Sequence, residues 1–201
     1  MIQNIIFDFG GVFINLDMDA VNRGLNSYGL VAPGADLLSL SAQYEKGEVD
    51  SKTFLRRVQQ SIPGSQEEGI RQIWNATIAD FPFARLEFLI KLKESGRYRM
   101  FLLSNTNALH IEQVRDNMGK DNFDRFRGCF EAFYLSHEIG MRKPDPKIFS
   151  FVLDKNGLRP EETLFIDDTK EHIESASALG INTWHLDVQK ESILELNKHL
   201  V

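Results

Sequence analysis

The chain has 201 residues, is 42% hydrophobic and 26% charged, and carries a formal net charge of -6. These values fit one globular domain, with or without an insert, and exclude a broad basic footprint for nucleic acid. An anionic ligand would need a local cation, from a metal or a few Lys and Arg side chains, against an unfavourable overall field. A single cysteine, Cys129, excludes an internal disulfide; among Phe126, Phe130 and Phe133 it reads as a buried structural thiol. No basic leader precedes a long apolar stretch and no run approaches the length of a membrane span, so a cytoplasmic location without membrane partners is expected.

The apolar run Gln3-Asn4-Ile5-Ile6-Phe7 reads as a buried parallel strand. It ends in Asp8-Phe9-Gly10-Gly11-Val12, where two glycines release the backbone into a turn. Asp8 thus stands at the carboxyl end of a strand, where open α/β sheets bind ligands. Residues 16–82 then show no β run. Helical patterns are predicted around Ala20–Tyr28, Ala35–Tyr44, Thr53–Gln60 and Glu67–Ile78, with Asp50 and Ser65 as N-caps. A helical block at this point is an insertion over the carboxyl edge of the sheet, and is expected to act as a lid above Asp8.

From residue 83 strands and helices alternate. Helices are predicted at Phe83–Glu94, Leu109–Met118, Asp145–Lys155 and Glu171–Leu179, and strands at Arg99–Leu103, Ala132–Leu135, Thr163–Ile166 and Asn182–Leu186. A last amphipathic helix carries Ile193, Leu194 and Leu196. The alternation predicts a doubly wound parallel sheet with right-handed crossovers. The core is expected at 1–15 and 83–201, with the cap at 16–82.

Four segments fall at or near strand ends: Asp8, Ser104-Asn105-Thr106, Arg142-Lys143-Pro144-Asp145 and Asp167-Asp168. Each alone reads as a cap or a turn. Together they supply a carboxylate nucleophile, a hydroxyl and amide for an oxyanion, a cation, and carboxylates for a hard metal. Other residues read as structural. His137-Glu138 lacks a second His at zinc spacing, His172 is expected on a solvent-facing helix, and Trp74 and Trp184 are expected in the core. Arg142 reads either as a substrate contact or as a solvated turn charge.

In this order the motifs Asp8-Phe9-Gly10-Gly11-Val12, Leu103-Ser104-Asn105-Thr106, Lys143-Pro144-Asp145 and Phe165-Ile166-Asp167-Asp168 resemble those of the haloacid dehalogenase superfamily over nearly the whole chain. The helical insert resembles the family's cap of the first type, on a Rossmann-like core. Asn105-Thr106-Asn107, Gly140-Met141-Arg142-Lys143-Pro144 and Tyr44-Glu45-Lys46-Gly47-Glu48 resemble the sugar-1-phosphate phosphatase branch, to which the phosphatase domain of soluble epoxide hydrolase is also similar.

The resemblance implies a phosphatase acting on a small phosphorylated metabolite, with a sugar 1-phosphate such as glucose 1-phosphate as the expected type. It implies Mg²⁺ held by Asp8, the Gly10 carbonyl, Asp168 and Asp167, an aspartyl-phosphate on Asp8, and a phosphate cradle of Ser104, Lys143 and backbone N–H groups near Asn105 and Gly11. Most phosphatases of the superfamily carry a general-acid Asp two residues after the nucleophile; here that residue is Gly10. Loss of such a group costs about 10² to 10⁴ in rate. A better leaving group, a cap carboxylate with Glu45 as candidate, or an ordered water would make it good. Two other readings stand beside this one: a regulatory protein that binds phosphorylated ligands, and a 2-haloacid dehalogenase, against which Gly10 and the paired acids Asp167-Asp168 argue.

Overall fold

Five parallel strands form the centre of the molecule: β1 Asn4–Phe7, β2 Arg99–Ser104, β3 Ala132–Leu135, β4 Thr163–Asp167 and β5 Asn182–His185, in the spatial order β3-β2-β1-β4-β5. The computed structural model describes residues 1–30 and 33–200; residues 31 and 32 of the expected cap, and residue 201 of the expected core, lie outside the described residues. Successive strand residues point to opposite faces. Ile5, Phe7, Met100, Leu102, Leu164 and Ile166 enter one apolar layer, whereas Ile6, Phe101, Leu103 and Phe165 enter the other. Burial on both faces explains why the strands are continuous apolar runs.

The first layer is closed by α5 (Phe83–Glu94), α6 (Ala108–Met118) and α7 (Lys120–Arg127), through Leu86, Leu89, Val114, Phe123 and Phe126. Phe9, Phe13, Phe126 and Phe130 meet there with ring centroids 5.0 to 6.3 Å apart. The second layer is closed by α9 (Pro146–Asn156) and α10 (Lys170–Ser177), through Ile148, Phe149, Val152 and Ala176. Asp145 caps α9 with its side chain on the Lys147 N–H, Pro146 opens the first turn, and Gly157 ends the helix at φ 61°.

Between β1 and α5 lie α1 (Ala20–Asn26), α2 (Ala35–Glu45), α3 (Ser51–Ser61) and α4 (Glu67–Asn75), and no strand occurs among their described residues. They share a separate apolar cluster of Leu25, Leu40, Tyr44, Phe54, Leu55, Val58 and Ile70, into which Leu109 of α6 also inserts. The chain leaves β1 and returns to α5 as a narrow antiparallel ribbon: Asn15 N–H donates to Asp80 O, Ala79 N–H to Asn15 O and Asp17 N–H to Thr77 O.

Some expectations change. The N-cap of α4 is Gln66, not Ser65, because the Ser65 hydroxyl donates back to Ile62 O. That helix ends at Asn75, where the chain enters the ribbon. Asp50 does cap α3, accepting from Thr53 N–H at 2.8 Å. The last apolar segment, Ile193–Lys198, is a 3-10 helix. Both α7 and the short α8 (Ser136–Ile139) add to the predicted elements.

Candidate active site

β1 is the point where strand order reverses: β2 lies on one side and β4 on the other. Ligands bind outside the carboxyl ends of strands at such a point. Asp8 continues β1 there, its N–H donating to Ile166 O at 2.9 Å, while Asp167 ends β4 and Ser104 ends β2. The register Phe7↔Ile166 and Phe7↔Leu102 holds these three ends level.

Lys143 reaches this floor from the loop before α9. Its Nζ is fully buried and donates to Asp8 Oδ1 at 2.7 Å, Asp167 Oδ2 at 2.6 Å and Leu103 O at 2.9 Å. All three ammonium protons are therefore used. Burial works against its charge, but Asp167 and Asp8 outweigh that and hold its pKa above the ordinary value. Asn105 fixes the backbone that carries Lys143: its amide donates to Lys143 O and its carbonyl accepts from Lys143 N–H, both at 2.8 Å.

One ammonium faces more carboxylate than it can neutralise. Oxygen atoms of Asp8, Asp167 and Asp168 lie within 4.8 Å of one another. Burial raises Asp8 to about 7, a shift the Lys143 charge only partly offsets and Asp167 reinforces. Burial and the Asp167 charge also raise Asp168. Asp167 goes the other way, to about 2, because Lys143 and His172 outweigh its burial. An all-oxygen donor set with surplus negative charge suits a small divalent cation such as Mg²⁺.

The acids are not equivalent as ligands. Asp167 Oδ1 accepts from Thr169 N–H at 2.8 Å, and His172 Nδ1 lies 3.0 Å from both carboxylate oxygens. With Lys143, these donors already occupy its oxygens. Asp168 instead faces Gly11, where an added Cβ would meet Asp168 Oδ2 at 2.2 Å. Gly11, at φ 71°, is thus required both by its backbone and by this close approach.

His172 corrects an expectation. It is not solvent-facing; its side chain is 13% exposed and packed on Asp167. The signal was its place in the first turn of the helix after the acidic strand end, five residues beyond Asp167. Gly11 corrects another. Its N–H, expected near a phosphate, is committed to Ile14 O at 2.8 Å. Among the described residues the N–H groups of Gly10 and Asn105 have no backbone acceptor. Ser104 is buried beside them.

The inserted helices meet the core on two sides. On one, Arg142 pairs with Glu45 at the end of α2, Nη2 to Oε2 at 3.0 Å, so Arg142 is not a solvated turn charge. Burial raises the Glu45 pKa, with Arg142 and His172 opposing. Gly47 passes so close to His137 O that a Cβ would sit at 2.1 Å. On the other side, Leu109 N–H donates to Tyr44 Oη at 3.2 Å, Asn75 Nδ2 to Gln113 Oε1 at 3.2 Å, and Asn117 Nδ2 to Ala79 O at 3.2 Å. His110 stacks on Trp74, with centroids 5.3 Å apart, and its Nε2 bonds Trp74 O. Trp74 and Trp184 are packed residues as expected, Trp74 against the α1–α4 cluster and Trp184 in the core.

The sequence pattern of haloacid dehalogenase-like hydrolases matches residues 2–180. The chain is 28% identical over 191 residues to D-ribitol-5-phosphate phosphatase of Bacteroides thetaiotaomicron, covering 92% of this chain and 91% of that one. It superposes on a haloacid dehalogenase family enzyme from Bacteroides thetaiotaomicron, solved as a magnesium complex, with a TM-score of 0.87, 32% identity and 98% coverage of each chain. An Asp-to-Ala variant of that enzyme, solved with magnesium and inorganic phosphate, gives 0.84 at 30% identity over 98% of this chain and 99% of that one. A dehalogenase structure shares the fold at 20% identity, with a TM-score of 0.60 and coverage of 97% and 89%. With its motifs on one sheet edge and the family pattern spanning most of its length, the chain belongs to the haloacid dehalogenase-like hydrolases.

Proposed function

We propose that the protein is a Mg²⁺-dependent phosphatase of small phosphomonoesters and that Asp8 is its nucleophile. The observation that carries this is Lys143 Nζ held between Asp8 Oδ1 and Asp167 Oδ2, at 2.7 and 2.6 Å, beside Asp168. Asp8 Oδ2, the Gly10 carbonyl and Asp168 would hold the cation, and Asp167 would anchor Lys143 and His172. The cation would supply charge neutralisation between an anionic ester and a carboxylate nucleophile.

Asp8 attacks phosphorus, an Asp8 O–P bond forms, and the ester O–P bond breaks with its electron pair leaving on the alcohol oxygen. Lys143 offsets charge on Asp8 and on the phosphoryl oxygens; the Ser104 hydroxyl and the N–H groups of Gly10 and Asn105 supply donors to those oxygens. Water then cleaves the aspartyl-phosphate. No carboxyl group stands at position 10 to protonate the leaving oxygen. We assign that proton to Glu45 at the rim or to a water. Helices α1–α4, within residues 16–82, would form the cap over this floor.

The fold is shared with dehalogenases, but Gly10 and the acid pair Asp167-Asp168 favour phosphoryl transfer. Phosphate release from a panel of small phosphomonoesters, with Mg²⁺ and with EDTA, tests the proposal. Metal-dependent release from any member is expected. Release that EDTA leaves unchanged, or no release from any member, contradicts it.

A further inference from the structure

A cavity of about 140 Å³ opens beside Gly10, Ser104 and Asn105. One wall is the ribbon that joins the core to the inserted helices, with Leu16 and Met18 on the outgoing segment and Thr77 and Ile78 on the returning one. Leu16 and Ile78 are bridged across this ribbon. The opposite wall is α6, through His110 and Val114. Leu16 also fills the space beside residue 10: a Cβ on Gly10 would lie 2.8 Å from its Cδ1. Where a carboxyl group would protonate the leaving oxygen, the protein therefore presents a leucine methyl.

Among the described residues no carboxylate and no Lys or Arg lines this cavity. His110 adds no charge. Burial lowers it to about 4, its Nδ1 faces the Asn107 amide at 3.2 Å and its Nε2 faces Trp74 O at 3.2 Å, so both nitrogens are engaged within the protein. The Asn105 amide is spent on Lys143. Recognition of a hydroxyl-rich chain would need several inward-facing polar partners, because each hydroxyl stripped of water without a partner weakens binding. Among the described residues, the Ser104, Thr77 and Thr106 side chains offer the hydroxyls along the lining.

Resting on the phosphatase reading, we infer that this cavity receives the leaving alcohol as an uncharged, mainly hydrocarbon group, and that Leu16 and Ile78 are its specificity-determining residues. The space admits a short chain of a few carbons. The preferred substrate class is the monophosphate of a short apolar alcohol, ahead of polyol phosphates of equal length and of bisphosphates.

The test is a matched comparison of kcat/KM with Mg²⁺ for n-pentyl phosphate and ribitol 5-phosphate, on the wild type, Leu16→Asn and Ile78→Thr. The wild type is expected to favour the pentyl ester at least 10-fold. Each substitution is expected to shrink that ratio, mainly through KM, whatever happens to absolute rates. A wild-type preference for the polyol overturns the inference, as does a ratio that neither substitution moves. Binding of n-pentylphosphonate against its trihydroxylated analogue, read by calorimetry, separates the two claims. If neither ester is hydrolysed but the alkyl phosphonate binds more tightly, the phosphatase reading fails and the cavity assignment stands. Equal or weaker binding of the alkyl compound overturns the assignment on its own.

Discussion

The two surfaces that meet at Gly10 are built on opposite principles. The floor is charged: Asp8, Lys143, Asp167 and His172 are linked by contacts of 2.6 to 3.0 Å at the ends of rigid strands and the turns that follow them. The wall is apolar and made of ribbon and helix, with Leu16 and Ile78 on the ribbon and Val114 and a neutral His110 on the helix. Charges fixed in a dry, rigid place need no reorganisation when a phosphoryl group reacts, so the floor suits chemistry that is the same for every ester. On our proposal the wall would touch only what differs between esters, so that one part of the fold would carry reaction type and another selectivity.

The largest expected effect breaks the floor. Lys143→Met leaves two buried carboxylates without their ammonium, and loss of one partner of a buried pair costs about 3 to 5 kcal/mol. Urea unfolding should show that loss, and phosphate release should fall to background. A stability within about 1 kcal/mol of wild type would show that Lys143 does not hold the floor together.

The next effect concerns the seam between α6 and α4. His110 has a native pKa of about 4, below its ordinary 6.5. Between those values the unfolded chain binds the proton and the native protein does not. Stability is therefore complete above pH 6.5 and falls as pH drops toward 4. The shift corresponds to about 3 kcal/mol, which the ring's partial exposure along the cavity reduces to about 2. His110→Gln, which keeps a donor and an acceptor, should flatten that part of the pH–stability curve. An unchanged slope would place the dependence elsewhere.

Gly11→Ala comes next. Its Cβ would collide with Asp168 Oδ2 and the backbone is at φ 71°, so a cost of about 1 to 2 kcal/mol is expected together with weaker Mg²⁺ dependence in the assay. Normal Mg²⁺ dependence in that variant would detach Asp168 from the metal. The smallest effect is at the rim. Glu45→Gln removes an ion pair with Arg142 that is partly exposed, so stability should change by less than about 1 kcal/mol. A pH–rate profile that loses its alkaline limb in this variant would assign Glu45 as the proton source; an unchanged profile would leave that step to water.

Much of the floor is legible in the sequence, because its residues sit where local pattern changes. Asp8, Ser104 and Asp167 each terminate an apolar run, and a run that stops in an acid or hydroxyl marks a strand end. Lys143 was legible for a different reason: Pro144 and Pro146 fix the turn that presents it. The wall was not legible. Leu16 and Ile78 are 62 positions apart and joined by an isolated bridge too short to leave a period-two pattern. His172 was misread because a histidine in a polar helix turn has the same local signature whether it faces water or an acid behind it. Helix α7 was missed because Phe123 and Phe126 give only one i, i+3 pair in an otherwise polar stretch. The Gly11 N–H went astray because backbone direction in a two-glycine turn is set by the tertiary partner, here Ile14 O.

The most direct test of the account is phosphate release by Asp8→Asn in saturating Mg²⁺, on whichever ester the wild type hydrolyses best, with circular dichroism to confirm the fold. The account predicts a folded protein with release reduced to background, because the amide cannot form the aspartyl-phosphate. A folded variant that still turns over at the wild-type rate would contradict it.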